Sequence, residues 1–168
     1  ETAKKVFDIK KQNEIISKLH FSLTKDQNKT LSEINKDLCS ENKMFRLLQG
    51  DVGSGKTIVS LLSAFNTINS GFQVAVMAPT EILARQHFLL AKKLFSRNIK
   101  IELISGKSSY KDKKVILNKL SNKQIDIIFG THALFQKKVE FKKLGLIIID
   151  EQHKFCLLYT SDAADDLL

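Results

Sequence analysis

Eight consecutive residues, Gly50-Asp-Val-Gly-Ser-Gly-Lys-Thr57, have the types and spacing that hold a phosphate. The pattern is G-x-x-x-x-G-K-[ST], set between an apolar run and a segment of helical periodicity, which is the context such a loop needs. Gly50, Gly53 and Gly55 let backbone N–H groups converge on phosphate oxygens with no Cβ in the way, and Asp51, Val52 and Ser54 complete the loop. A helix starting near Lys56 would point the positive end of its dipole at the same anion. In this frame Lys56 reaches the β- and γ-phosphates of a nucleotide, and the Thr57 hydroxyl ligates Mg²⁺.

A second chemical group closes the apolar stretch "LIIIDEQH". Four apolar residues ending in Asp150 describe a buried strand with a carboxylate at its C-terminal end, the end where ligands bind in such sheets. Asp150 can hold Mg²⁺ through water, and Glu151 can polarise a water for attack on the γ-phosphate. A phosphotransferase has no use for that second carboxylate, because its acceptor is a substrate hydroxyl, so the pair favours hydrolysis. The plainer reading of Asp150 and Glu151 is a strand end with two solvated acids. Lys56, Asp150 and Glu151 are thus the candidate catalytic residues, with Thr57 and Asp150 on the metal.

The elements that must position these groups are legible in the apolar pattern. Val6, Ile9, Ile15, Ile16 and Leu19 recur at helical spacing, and a second helix is expected over about residues 25–38. Short runs then alternate with amphipathic segments: "MFRLLQ" with residues 57–69, "QVAVMAP" with 81–95, "KIELIS" with 111–120, then "IDIIFG" and "LGLIIIDE". Strands that are apolar throughout and separated by helices indicate an α/β domain with a parallel sheet covered on both faces.

Composition narrows the classes. The 168 residues are 43% hydrophobic and 27% charged, a globular balance for one domain. No apolar run approaches the roughly 20 residues of a membrane span. The start, "ETAKKVFDIKK", lacks the apolar core of a signal peptide and does not begin with Met, so the chain reads as part of a longer one. Cys39 and Cys156 suit neither a disulfide framework nor a metal site, which makes a reducing cytoplasm the expected setting. The net charge of +9 suggests a polyanionic partner, or else a Lys-rich compositional bias, since Arg46, Arg85 and Arg97 are the only arginines.

Further short stretches surround the two chemical groups in order. Phe21, Leu23, Thr24 and Gln27 stand in "FSLTKDQ", residues 78–87 read "APTEILARQH", residues 130–134 read "GTHAL", and residues 150–155 read "DEQHKF". The set resembles the superfamily 2 helicases with a DExH box, and among them the RecG-type ATP-dependent DNA helicases of bacteria, over about residues 20–155. The transcription-repair coupling factors are similar, but usually carry a second Glu where this chain has Gln152.

The resemblance implies a RecA-like P-loop NTPase domain, mainly parallel with helices on both faces, over residues 21–155. Residues 1–20 would be a helical linker from a wedge domain that grips forked DNA, and a second helicase domain would supply arginines to the γ-phosphate. Cofactors would be ATP and Mg²⁺, the partner branched or forked duplex DNA contacted through its backbone, and the location the bacterial cytoplasm, with no membrane. Phe21 and Gln27 would hold adenine; read without the resemblance, they are equally a hydrophobic staple and a helix-surface glutamine. Gln152 and His153 would couple the nucleotide to the nucleic acid, and His153 alone is simply a loop histidine.

Pro79, Thr80 and the helix start after them form a natural seat for a phosphate backbone. Arg85 adds a charged contact or is a solvated surface arginine. Ser105, Gly106, Gly130 and Thr131 follow other strands onto the same rim, and His132 is either a DNA contact or a satisfied rim histidine. Two readings from other classes stay open: a nucleotide-binding module without turnover, and a P-loop ATPase that is not a helicase. After Phe155 the sequence turns to "CLLYTSDAADDLL", Ala/Asp-rich and free of Lys. Residues 156–168 therefore read as a non-native tail, expected to pack on nothing specific.

Overall fold

The computed structural model describes residues 5–40, 44–51, 53–132, 139–151 and 154–159. Its elements run α1 (Ile9–Ile16), α2 (Lys25–Leu38), β1 (Met44–Gln49), α3 (Lys56–Asn69), β2 (Gln73–Ala78), α4 (Glu81–Leu94), β3 (Ile101–Leu103), α5 (Tyr110–Ser121), β4 (Ile127–Thr131), β5 (Leu144–Glu151) and β6 (Lys154–Tyr159). The six strands form one sheet in the order β1-β6-β5-β2-β4-β3. β5, β2, β4 and β3 are parallel neighbours, whereas β6 is antiparallel to both β1 and β5. Five strands thus point one way and one reverses, which is the mainly parallel sheet that the apolar runs imply.

The alternation of side chains explains the two layers. Val74 and Val76 of β2, Ile127 and Phe129 of β4, and Leu146 and Ile148 of β5 enter one cluster with residues of α1, α2, α3 and α4. Ala75, Met77, Ile128 and Ile147 face the other way, against Leu120 of α5. Every residue of β2 is buried, as a central strand covered on both sides requires. Coverage is uneven: on the α5 side Phe45 of β1 is 76% exposed. Gln73 is buried with its polar groups satisfied, donating to the carbonyls of Leu120 (2.9 Å) and Ile125 (2.8 Å) and accepting from the Lys143 N–H (3.0 Å). One side chain thereby fixes the α5–β4 turn and the entry to β5.

Helix boundaries follow their caps. α1 is shorter than the spacing of Val6 to Leu19 suggests, because the Asp8 carboxylate accepts from the Lys10 and Lys11 N–H groups and starts the helix there. It is docked onto the domain: Ile15 belongs to the main core, and Gln12 Oε1 accepts from Asn35 Nδ2 (2.9 Å) on α2 and Asn66 Nδ2 (2.6 Å) on α3. Thr24 and Gln27 form a capping box at the start of α2, Thr80 caps α4, and Ser109 caps α5.

The expectation that residues 156–168 pack on nothing specific is overturned where the structure describes them, at residues 156–159. Cys156, Leu157 and Leu158 lie in β6, inserted between β1 and β5, with Cys156 paired to both Leu47 and Ile149. Leu157 is fully buried in the main core, while Leu158 packs on the opposite cluster. The physical reason is the short alternation from Phe155 to Leu158, which suits a strand, and the bare backbone edges that β1 and β5 would otherwise present to each other. Residues 160–168 lie outside the described residues.

Because Leu157 fills the core between two strands, Leu157→Ala should destabilise the fold by about 3 kcal/mol, within the usual range for buried leucines. A urea denaturation midpoint unchanged by this substitution would show that β6 does not form in solution.

Candidate nucleotide and nucleic-acid site

The loop after β1 is shaped by two left-handed glycines, Gly53 (φ 82°) and Gly55 (φ 80°), a conformation that L side chains rarely adopt. Gly55 is also the N-cap of α3, and α3 starts without a side-chain cap, unlike α1, α2, α4 and α5. Its first N–H groups are therefore left to a ligand, at the positive end of a 14-residue helix. The Lys56 ammonium lies inside the loop, donating to the carbonyls of Gly50 (2.5 Å) and Asp51 (2.8 Å) and to Ser54 Oγ (3.3 Å). These are bonds that a phosphate oxygen can replace without moving the backbone far.

Gln27 meets this loop from α2. Its Oε1 accepts from the Thr24 N–H (2.9 Å) and its Nε2 donates to the Ser54 carbonyl (2.8 Å). The residue thus completes the N-terminal cap of its own helix and also clamps the phosphate loop. A Cβ at Gly55 would collide with the Gln27 amide, so the glycine is needed for this approach as well as for its φ. Phe21 is 52% exposed, and Leu23 beside it is buried in the main core.

Asp150 ends the buried part of β5 at the same edge of the sheet. The register sets the heights: Phe155 of β6 pairs with both Leu48 and Asp150, and Lys154 with both Gln49 and Glu151. The residue preceding the phosphate loop is therefore level with Glu151, one strand apart. Asp150 is 8% exposed, and its Oδ2 lies 2.7 Å from Nε2 of His87, which is equally buried on α4. A carboxylate only accepts, so Nε2 carries the proton. The His87 ring stands edge-on to Phe155, with centroids 5.8 Å apart. Glu151 is exposed at the strand end.

Two of the remaining rim residues, Pro79 and His132, lie beside Glu151. Pro79, His132, Glu151 and Lys154 line a cavity of about 340 Å³, which brings together three separate stretches of the sequence. Thr80 Oγ1 accepts from the Leu83 N–H (3.2 Å) and starts α4, leaving Arg85 exposed on the outer side of the helix. Glu81 accepts from the Gly106 N–H, and Ser108 Oγ accepts from the Ser105 N–H (3.3 Å), so the loop after β3 is tied to the start of α4. Gly130 is buried, Thr131 half-buried and His132 exposed at the end of β4. Val52, Gln152 and His153 lie outside the described residues.

Arg46 is drawn away from the phosphate loop. Its guanidinium donates to Asp37 Oδ2 (3.0 Å from Nε) and Glu33 Oε2 (2.9 Å) on α2, and the Asp37 bond raises its pKa above the usual value. Burial raises the Cys156 thiol as well, which makes it a poor nucleophile at neutral pH. Two features escape a reading by motif: the His87–Asp150 pair and the Gln27–Ser54 clamp. The signal for the first is a histidine in the stripe of Ala84, Ala91 and Leu94, all buried on the inner side of α4.

This geometry places the chain among the P-loop NTPases with a RecA-like sheet. Within that class, the sequence pattern of the DEAD/DEAH box helicases matches residues 24–164, and the chain belongs to that family. It is 50% identical over 137 residues to the ATP-dependent DNA helicase RecG of Streptococcus pneumoniae, covering 82% of this chain and 20% of that protein. The RecG of Thermotoga maritima is 50% identical over 143 residues, covering 84% of this chain and 18% of that protein. A solved structure of RecG bound to a three-way DNA junction superposes with a TM-score of 0.84 at 47% identity, over 90% of this chain and 21% of that one. The chain thus spans about a fifth of the length of the relatives it matches.

Lys56 is the one side-chain cation that the described structure places inside the phosphate loop. Lys56→Ala should weaken ADP or ATP binding about ten- to a hundredfold, the range for losing a charged hydrogen bond. Calorimetry giving equal affinities for wild type and variant would refute that role.

Proposed function

We propose that this chain is the first motor domain of a RecG-type helicase, a domain that binds Mg–ATP on one face of a catalytic cleft and branched DNA along the adjoining rim. The observation that carries the reading is the convergence at one sheet edge of the Lys56 loop, the Asp150–Glu151 carboxylates and the cavity lined by Pro79 and His132. Lys56 and the open N–H groups of α3 hold the β- and γ-phosphates. Phe21 and Gln27 take the adenine, for which the exposed Phe21 ring offers a stacking face.

The donors fit Mg²⁺: one hydroxyl, Thr57, and one carboxylate, Asp150, are all oxygen. Such sparse protein ligation is usual for an ion that keeps waters and takes phosphate oxygens. Bound Mg²⁺ supplies charge neutralisation on the β- and γ-phosphoryl groups. Glu151, exposed beside the cavity, accepts a proton from the attacking water. Pro79, Thr80, Arg85, Ser105, Gly106, Gly130, Thr131 and His132 contact the DNA backbone without reading bases. Gln152 and His153 carry the link between the two ligands. The wedge and second helicase domains belong to the same parent protein, which works in the bacterial cytoplasm.

Arginines from the second domain complete the transition state in this reading, each worth about 10³ or more in rate. The 168-residue chain should therefore bind nucleotide yet hydrolyse it barely above background, with no stimulation by forked DNA. Adding the second domain should restore DNA-stimulated turnover, and Glu151→Gln in that longer protein should abolish it while sparing ATP binding. Rapid turnover by the 168-residue chain alone, rising with forked DNA, would overturn the two-domain mechanism.

A further inference from the structure

We propose that His87 is a positioning residue for the metal-facing carboxylate, holding Asp150 from the buried side of α4. The inference rests on the reading of Asp150 as the carboxylate that faces Mg²⁺. His87 Nε2 donates to Asp150 Oδ2 at 2.7 Å and so fixes one of the two carboxylate oxygens. Both side chains are about nine-tenths buried, with relative exposures of 10% and 11%. A carboxylate withdrawn that far from water needs a hydrogen-bond donor, and the bond also fixes it in one rotamer.

The identity of the residue argues for the bond rather than for packing. Ala84, Ala91 and Leu94 make the rest of the inward stripe of α4 apolar, and an aliphatic side chain would continue that stripe at no polar cost. A histidine there is justified by what its ring nitrogen reaches. Phe155 holds the ring from the β6 side at 5.8 Å, so the imidazole is fixed by a wall as well as by its bond. Partners of this kind orient ligating carboxylates and histidines in metal sites generally, and their loss usually lowers metal affinity by about 10–100-fold.

The test uses the 168-residue chain and ADP, titrated by calorimetry at a series of MgCl₂ concentrations and again in EDTA. His87→Leu keeps the bulk and removes the donor. His87→Gln returns an N–H donor at a similar reach, and His87→Asn is polar but too short. We expect His87→Leu to bind ADP as wild type does in EDTA but to need about tenfold more Mg²⁺ for half-saturation. His87→Gln should return to within about threefold of wild type. A folded His87→Leu with the wild-type Mg²⁺ requirement overturns the proposal, as does a His87→Gln that is no better than leucine. Should His87→Leu fail to fold, His87→Asn decides in its place by the same criterion. If wild type binds no Mg–ADP at all, the nucleotide reading of the site fails and this inference with it. If wild type binds with a clear Mg²⁺ dependence that the variants share, the inference alone is wrong.

Discussion

The chemistry of this chain depends on strand direction. β1, β2, β4 and β5 run the same way, so the residues at their C-terminal ends share one edge of the sheet although they are far apart in sequence. Parallel strands demand crossovers, and each crossover helix starts at that same edge. The edge therefore collects helix N-termini, with their open N–H groups, together with whatever side chains end the strands. A phosphate loop before α3, a hydroxyl cap before α4 and a carboxylate ending β5 follow from one topological fact. β6 runs against this direction and contributes no C-terminal end to the edge; its contribution is to join β1 to β5 and set their relative height.

How much of this could be read from residues alone depends on how local the signal is. The phosphate loop is a local pattern, and its context is local too, so the loop falls between a strand and a helix, β1 and α3, as the spacing implies. β2 and β5 each carry an unbroken apolar run, and such runs bounded by turns announce buried strands before any partner is known. The strand made by Cys156 to Leu158 was not legible, because one of its two neighbours, β1, lies far back in the chain, before α3. Composition pointed away from it, because an Ala/Asp-rich, Lys-free segment follows directly. His87 was hidden for a related reason. Its partner is 63 residues further on, and no spacing rule connects a helix interior to a strand end.

Polar fasteners do much of the positioning around the edge. Gln27 combines a role in its own helix with a grip on Ser54, so the start of α2 and the phosphate loop cannot move independently. Glu81 joins the start of α4 to the loop after β3 through the Gly106 N–H. Each fastener satisfies a backbone group at a loop, where ladder bonds are not available. Loops that must approach a ligand are thereby held to the rigid elements beside them, which is how a glycine-rich segment keeps a defined shape.

α4 is the element in which these threads meet. Its N-terminal end carries Thr80 and Glu81, its outer side Arg85, and its inner side His87, all within a helix of 14 residues. A helix of that length moves nearly as one body, since its backbone bonds resist local bending. A hydrogen bond of 2.7 Å loses most of its strength when its partners separate by an ångström. Thr80 and Glu81 at the start of the helix and His87 six residues further on are therefore held to one another, and Asp150 to them through the His87 ring.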